Sequence, residues 1–117
     1  MLKRSIILLN LGGPDSLESV QPFLNNLFRD PAIIGLPAMF RFPLAKIISA
    51  RRAPIAREIY ARLGGQSPLL SLTEEQAVAL GEALNTQDPE HTYQVFIAMR
   101  YWHPLSEETV SAVKVFD

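Results

Sequence analysis

The sequence contains no cysteine among its 117 residues. That excludes disulfides, thiolate-held metals and cysteine-ligated clusters within the chain, and it fits a reducing compartment. A surplus of one charge is also missing, since 11 Lys and Arg stand against 12 Asp and Glu. A nucleic-acid binder would carry a basic face, so none is expected as a partner. No stretch approaches the roughly 20 apolar residues that a membrane span requires. Met1-Leu2-Lys3-Arg4 before Ser5 to Leu9 mimics a signal peptide only loosely, because Asn10 and Pro14 soon interrupt the apolar run. A soluble chain is expected. With only 2 histidines there is no pair at metal-ligand spacing. No two carboxylates form an evident acid/base couple, and Ser67, Ser71 and Ser106 lack a nucleophile-elbow context.

What is present is ordinary for a globular domain, with 48% hydrophobic and 20% charged residues. The length suffices for one small core. Ser5 to Leu11 is a nearly continuous apolar run ending at Gly12-Gly13-Pro14, which predicts a strand buried on both faces of a parallel sheet. Asp15 with Glu18 resembles a capping box and predicts a helix from near Ser16, with Phe23, Leu24, Leu27 and Phe28 on one face. Asp30-Pro31 breaks that pattern. Prolines 31, 37 and 43 among Ile33, Ile34, Leu36, Met39, Phe40 and Phe42 predict an irregular apolar lip over residues 31 to 44.

Helical spacing returns from Leu44 to Leu63, with Pro54 expected to break it or to start a second helix, and Gly64-Gly65 closes it. Gln66 to Leu72 reads as a loop, and Thr73 with Gln76 as the cap of a helix to about Asn85 with Ala77, Leu80 and Leu84 inward. A polar turn follows over 86 to 91. Tyr93 to Met99 is a second strand, and Ser106 with Glu107 and Glu108 opens a last helix. Strands separated by helices imply right-handed parallel crossovers, so the fold class is α/β. Two strands make an incomplete sheet, and the chain runs apolar to Val115-Phe116, so it reads as a fragment of a larger domain.

Three features could carry chemistry. Gly12-Gly13-Pro14 lies where α/β sheets place ligands, at the carboxyl end of the first strand. It lacks G-x-G-x-x-G, and Pro14 removes a backbone donor, so a tight strand-to-helix turn is the plainer reading. Arg41, Lys46, Arg51, Arg52, Arg57 and Arg62 form a basic cluster directly after the apolar lip. Each taken alone suits a solvated helix face. Together with the lip they match a large flat apolar ligand with anionic edges. Arg100-Tyr101-Trp102-His103-Pro104 follows the second strand and should border one crevice with Gly12-Gly13. His103 could be a base or ligand, although a structural bond to nearby backbone is the simpler role, and His91 has no evident partner in its turn.

Leu9-Asn10-Leu11-Gly12-Gly13-Pro14, Phe23-Leu24 through Leu27-Phe28, Asp30-Pro31 with Leu36-Pro37, Arg51-Arg52-Ala53-Pro54, Tyr60, Gly64-Gly65 with Ser67-Pro68-Leu69, Thr73 with Gln76, and Ala98 through Pro104 occur in series. That series resembles the opening part of the ferrochelatases, over the whole chain. The resemblance implies a haem-biosynthesis enzyme that inserts Fe2+ into protoporphyrin or coproporphyrin. It implies a three-layer, Rossmann-like chelatase domain, of which residues 1–117 would be the first part, with the second domain absent.

By position, Leu11, Leu24, Leu27, Phe28 and Ile34 would form the apolar wall against the macrocycle. Arg51, Arg52 and Ser67 would face the propionates, Tyr60 would line the cleft, and Arg100 and Tyr101 would lie near its inner end. The family's proton-accepting histidine and nearby acid come from later segments, so no catalytic or metal-ligating residue is assigned here. No cofactor is expected, iron being substrate, and the chain offers no iron–sulfur ligands. The partners implied are the porphyrin, a membrane surface touched by the lip, and further copies of the chain through its unpaired sheet edge. The setting implied is cytoplasmic, at the periphery of the inner membrane. A nucleotide-binding Rossmann half and a non-catalytic porphyrin-binding or interaction fragment are the alternatives.

Overall fold

The computed structural model describes residues 2–116. The elements in order are β1 (Leu2–Asn10), α1 (Val20–Phe28), α2 (Ala38–Arg62), α3 (Leu69–Gln87), β2 (His91–Met99) and α4 (Ser106–Phe116). They divide into two units: the strands with α3 and α4, and a helical unit spanning Gly13–Pro68.

In the strand unit β1 and β2 pair in parallel, in register from Leu2 opposite His91 to Asn10 opposite Met99. This confirms the α/β class. Successive side chains of a strand point to opposite faces. Val95 accordingly meets α3 at Gly81, where an added Cβ would lie 3.6 Å from its Cγ2. Phe96 on the other face packs edge-on to Phe116 of α4, with ring centroids 5.9 Å apart. The unit is therefore layered helix, sheet, helix. Asn85 of α3 fastens to β2 by accepting the Tyr93 N–H at 2.8 Å and donating to the Tyr93 carbonyl at 3.0 Å.

The expectation that β1 is buried on both faces fails, since Leu2, Ile7 and Leu9 are all exposed. Both α3 and α4 pack on β2, so burial is concentrated there, at Ala98 and Met99. α3 begins at Leu69 rather than near Thr73, and Gln66 to Leu72 is only partly loop. Thr73 sits inside the helix and its Oγ1 donates to the Leu69 carbonyl at 2.7 Å, the local bond a helical Thr can make. Ala77 is buried as expected, with Leu80 and Leu84 half-buried.

In the helical unit α1 packs on α2. Val20 and Phe23 are buried against a stripe of small residues, Ala45, Ser49 and Ala53, spaced four apart on α2. Small side chains at that spacing allow close approach of two helices. α1 starts four residues later than the capping-box reading placed it. Ser19 Oγ donates to Asp15 Oδ1 at 2.5 Å, and the Ser19 N–H donates to Ser16 Oγ at 3.2 Å. Those polar groups close a turn instead of capping a helix.

The larger correction concerns α2, which continues through Pro43 and Pro54 for 25 residues. Each proline deprives the carbonyl four residues earlier of its amide partner. The packed stripe outweighs that loss, and the irregular segment shrinks to the turns between α1 and α2. Arg41 organises those turns, donating from Nε to the Arg29 carbonyl and from Nη1 to the Leu36 carbonyl, both at 2.7 Å. The C-terminus of α2 behaves as predicted, with the Gly65 N–H donating to the Tyr60 carbonyl at 2.8 Å.

Candidate functional site

In the strand unit the chain continues the parallel ladder beyond both strands. The Arg100 N–H donates to the Asn10 carbonyl and the Tyr101 N–H to the Leu11 carbonyl, each at 3.0 Å. Beside these bonds lies an open cavity of about 560 Å³ lined by Leu9, Asn10, Leu11, Ala98, Met99, Arg100 and Ser106. It occupies the place where α/β sheets bind ligands, the carboxyl ends of the strands. Leu11 is exposed on its wall, whereas Tyr101 is buried, at 5% exposure. The Arg100 guanidinium lies 5.4 Å from the Tyr101 ring centroid. Asn10 accepts the Leu11 N–H on its Oδ1 at 2.8 Å, which shapes the strand's exit.

The Gly12-Gly13 turn is required by contact on each side. A Cβ on Gly12, whose φ is +92°, would meet the Met99 Cβ at 3.1 Å and the Trp102 amide nitrogen at 3.3 Å. Within the helical unit a Cβ on Gly13 would lie 2.5 Å from both Cβ and Oγ of Ser67. The Ser67 N–H donates to the Pro14 carbonyl at 2.8 Å, which fixes that approach.

The helical unit brings together some of the expected residues. Leu24, Leu27 and Phe28 are half-buried along α1, and Ile34 is half-buried in the turns beyond it. Arg52 of α2 carries its guanidinium to 5.5 Å from the Phe28 ring centroid, joining a cation to the apolar row. Arg51 is exposed one residue earlier, about 100° around the helix from Arg52. Tyr60 is half-buried near the end of α2, and Ser67 is half-buried against Gly13.

Both histidines have partners that the sequence did not disclose. His91 Nδ1 lies 2.8 Å from Asp88 Oδ2, and the Tyr93 hydroxyl donates to the same oxygen at 2.7 Å. The Tyr93 hydroxyl, and secondarily His91, hold the Asp88 carboxyl below its ordinary range, while Asp88 pushes the Tyr93 phenol up. His103 bonds a side chain rather than backbone, with Nδ1 2.7 Å from Glu108 Oε1. Glu108 also accepts the Leu105 N–H on Oε2 at 2.6 Å. That backbone bond first, and His103 second, lower the Glu108 carboxyl. The available signal was spacing, since Glu108 stands three residues after Leu105, where a carboxylate reaches back to the first orphan donor of a helix. Among the described residues, no three His, Asp or Glu side chains converge to hold a metal. No helix among them is long and apolar enough to cross a membrane.

The ferrochelatase family model matches residues 3–116. The chain belongs to the ferrochelatase family. It is 51% identical over 116 residues to a ferrochelatase of Pelagibacter ubique, covering 99% of this chain and 34% of that protein. It is 54% identical to a Wolbachia ferrochelatase, covering 99% of this chain and 36% of the relative. To the chloroplastic ferrochelatase-2 of Cucumis sativus it is 52% identical, over 96% of this chain and 22% of the relative. The chain thus spans about a third of the length of the bacterial ferrochelatases it matches. Its motif series and its α/β architecture are those of a ferrochelatase part.

Proposed function

We propose that this chain supplies one wall of the porphyrin site of an enzyme that inserts ferrous iron into a porphyrin for haem biosynthesis. The observation that carries the reading is the pairing of Arg52 with Phe28 at the end of the Leu24, Leu27, Phe28 row. A porphyrin is flat, apolar and edged with carboxylates. Burying its face supplies affinity, and charge-assisted bonds to its carboxylates fix its orientation. In this reading the helical unit offers Leu24, Leu27, Phe28 and Ile34 to the macrocycle and Arg51, Arg52, Tyr60 and Ser67 to its polar edge. Taken by itself, the strand unit carries Leu11, Arg100 and Tyr101 as its own porphyrin-binding candidates.

The chemistry requires the pyrrole nitrogens to lose two protons as the metal enters, and a site that holds the ring distorted favours that step. The residues named here bind and orient. No proton acceptor is assigned among them, no resident cofactor is invoked, and iron is substrate. The domain is read as part of a Rossmann-like chelatase domain.

Exposed Ile33, Leu36, Met39 and Phe40 in and after the turns support a peripheral contact with a membrane surface, where porphyrins partition. We read the setting as cytoplasmic, beside the inner membrane, from the family resemblance. Exposed Leu2, Ile7 and Leu9 on β1 support self-association of the chain, which sedimentation would detect.

The test is a Soret-band titration of the chain with a dicarboxylate porphyrin, followed by anaerobic ferrous iron. Saturable binding without metallation is the expected result. Absence of binding by a chain shown to be folded by circular dichroism would overturn the reading.

A further inference from the structure

The segment between β2 and α4 is secured at several points. At its start the Arg100 and Tyr101 amides bond to the Asn10 and Leu11 carbonyls at the exit of β1, and the Met99 N–H donates to the Pro104 carbonyl at 2.7 Å, closing residues 100–103 into a loop. Its descending limb, His103 to Leu105, is gripped by one side chain. Glu108 takes the His103 Nδ1–H on one oxygen at 2.7 Å and the Leu105 N–H on the other at 2.6 Å. An ionised carboxylate is acceptor-only, so the imidazole is held with its proton on Nδ1. Both bonds are short and charge-assisted, and together they fix two points of the limb from one rigid helical turn.

The loop so held carries Arg100 on the wall of the strand-end cavity, with Ser106 of the same helical turn on that wall too. The Tyr101 ring beneath Arg100 is buried, so the base of the guanidinium's platform cannot shift without disturbing the core. Arg100 is exposed and ends a long flexible side chain, so its useful position depends on where the loop puts its backbone.

We propose that Glu108 is a positioning residue for ligand binding. It touches no ligand itself, and through His103 and Leu105 it holds the loop that presents Arg100 to an anionic edge of the porphyrin. This rests on the porphyrin reading above. The proposal assigns a task to the imidazole of His103 as well, as the link between the carboxylate and the loop.

The test compares Glu108→Ala, Glu108→Gln, Arg100→Ala and the double variant in the full chain, with two readouts. The first is emission from Trp102, the single tryptophan, whose ring meets His103 edge-on at 5.0 Å between centroids. It reports the loop whether or not a ligand binds. The second is porphyrin affinity by Soret titration.

Glu108→Ala is expected to change Trp102 emission and weaken binding roughly tenfold, the scale of a misplaced binding group. Glu108→Gln can still accept the Leu105 N–H, so it should stay folded and lose about threefold. In the Arg100→Ala background the further loss from Glu108→Ala should fall below about twofold, because coupled residues are not additive. A Glu108→Ala chain with altered Trp102 emission and unchanged affinity would sink the positioning role and leave the porphyrin reading standing. Fully additive losses would sink it too. A parent chain that binds no porphyrin removes both.

Discussion

The guanidinium of Arg52 stands 5.5 Å from the centroid of the Phe28 ring. A cation over an aromatic face is attracted by the ring's quadrupole, and at an exposed site this is worth about 0.5–1 kcal/mol. The larger consequence is positional, because the long arginine side chain is parked beside the half-buried apolar row of α1. Arg52→Ala should therefore cost little stability and weaken porphyrin binding about tenfold, with Arg52→Lys recovering only part. A Soret titration of the three proteins decides it, and equal affinities would remove Arg52 from the wall.

Gly13→Ala should destabilise the chain by about 1–3 kcal/mol, the usual cost of overpacking a tight contact. The new Cβ would lie 2.5 Å from the Ser67 Cβ as well as its Oγ. Trimming the hydroxyl with Ser67→Ala should then fail to relieve it, whereas Ser67→Gly should restore much of the loss. Urea midpoints for the single and double variants are the check.

Thr109 is buried, and its Oγ1 donates to the Ile97 carbonyl of β2. Thr109→Val keeps the shape and leaves that carbonyl short of a donor, so a loss of about 1–2 kcal/mol is expected. Thr109→Ser should retain most of the bond. Equal unfolding midpoints for the Val variant and the parent would mean that the bond contributes nothing.

Two lowered carboxylates and one raised phenol set the pH dependence. Asp88 and Glu108 hold their protons less tightly folded than unfolded. Each therefore stabilises the fold above the ordinary carboxylate range near pH 4, and the contribution fades as pH falls through the lowered folded value. Tyr93 behaves oppositely, its contribution being complete below about pH 10 and lost as pH rises through the raised value. Thermal midpoints across pH should show a shallower acid limb for Asp88→Asn and Glu108→Gln. An Asp88→Asn chain with an unchanged alkaline limb would contradict the Tyr93 assignment.

Much of the framework was readable from local signals. The last helix at Ser106 and the Gly64-Gly65 stop stand where short-range patterns put them, and both strands exist as expected, with β1 starting three residues and β2 two residues earlier. What misled were cap signals whose polar groups other local bonds can claim. Asp15 and Ser19 spend their polar groups on each other, which delays α1 to Val20. Thr73 bonds its own helix instead of capping it. At the candidate site, the residue types were readable, but the partners of His91 and His103 were not, because Asp88 and Glu108 become partners only once turn and helix geometry is set.

Sequence alone determined the α/β class and the family membership, because periodicity, turn residues and an ordered motif series are local properties of the chain. Tertiary structure decided that α2 runs unbroken through two prolines, since Ala45, Ser49 and Ala53 gain contact with α1 that no local propensity records. It also decided that Arg52 meets Phe28 and that one carboxylate grips the loop after β2. Those relationships depend on the angle and distance between packed elements, and these follow from the energy of the assembled core rather than from any window of sequence.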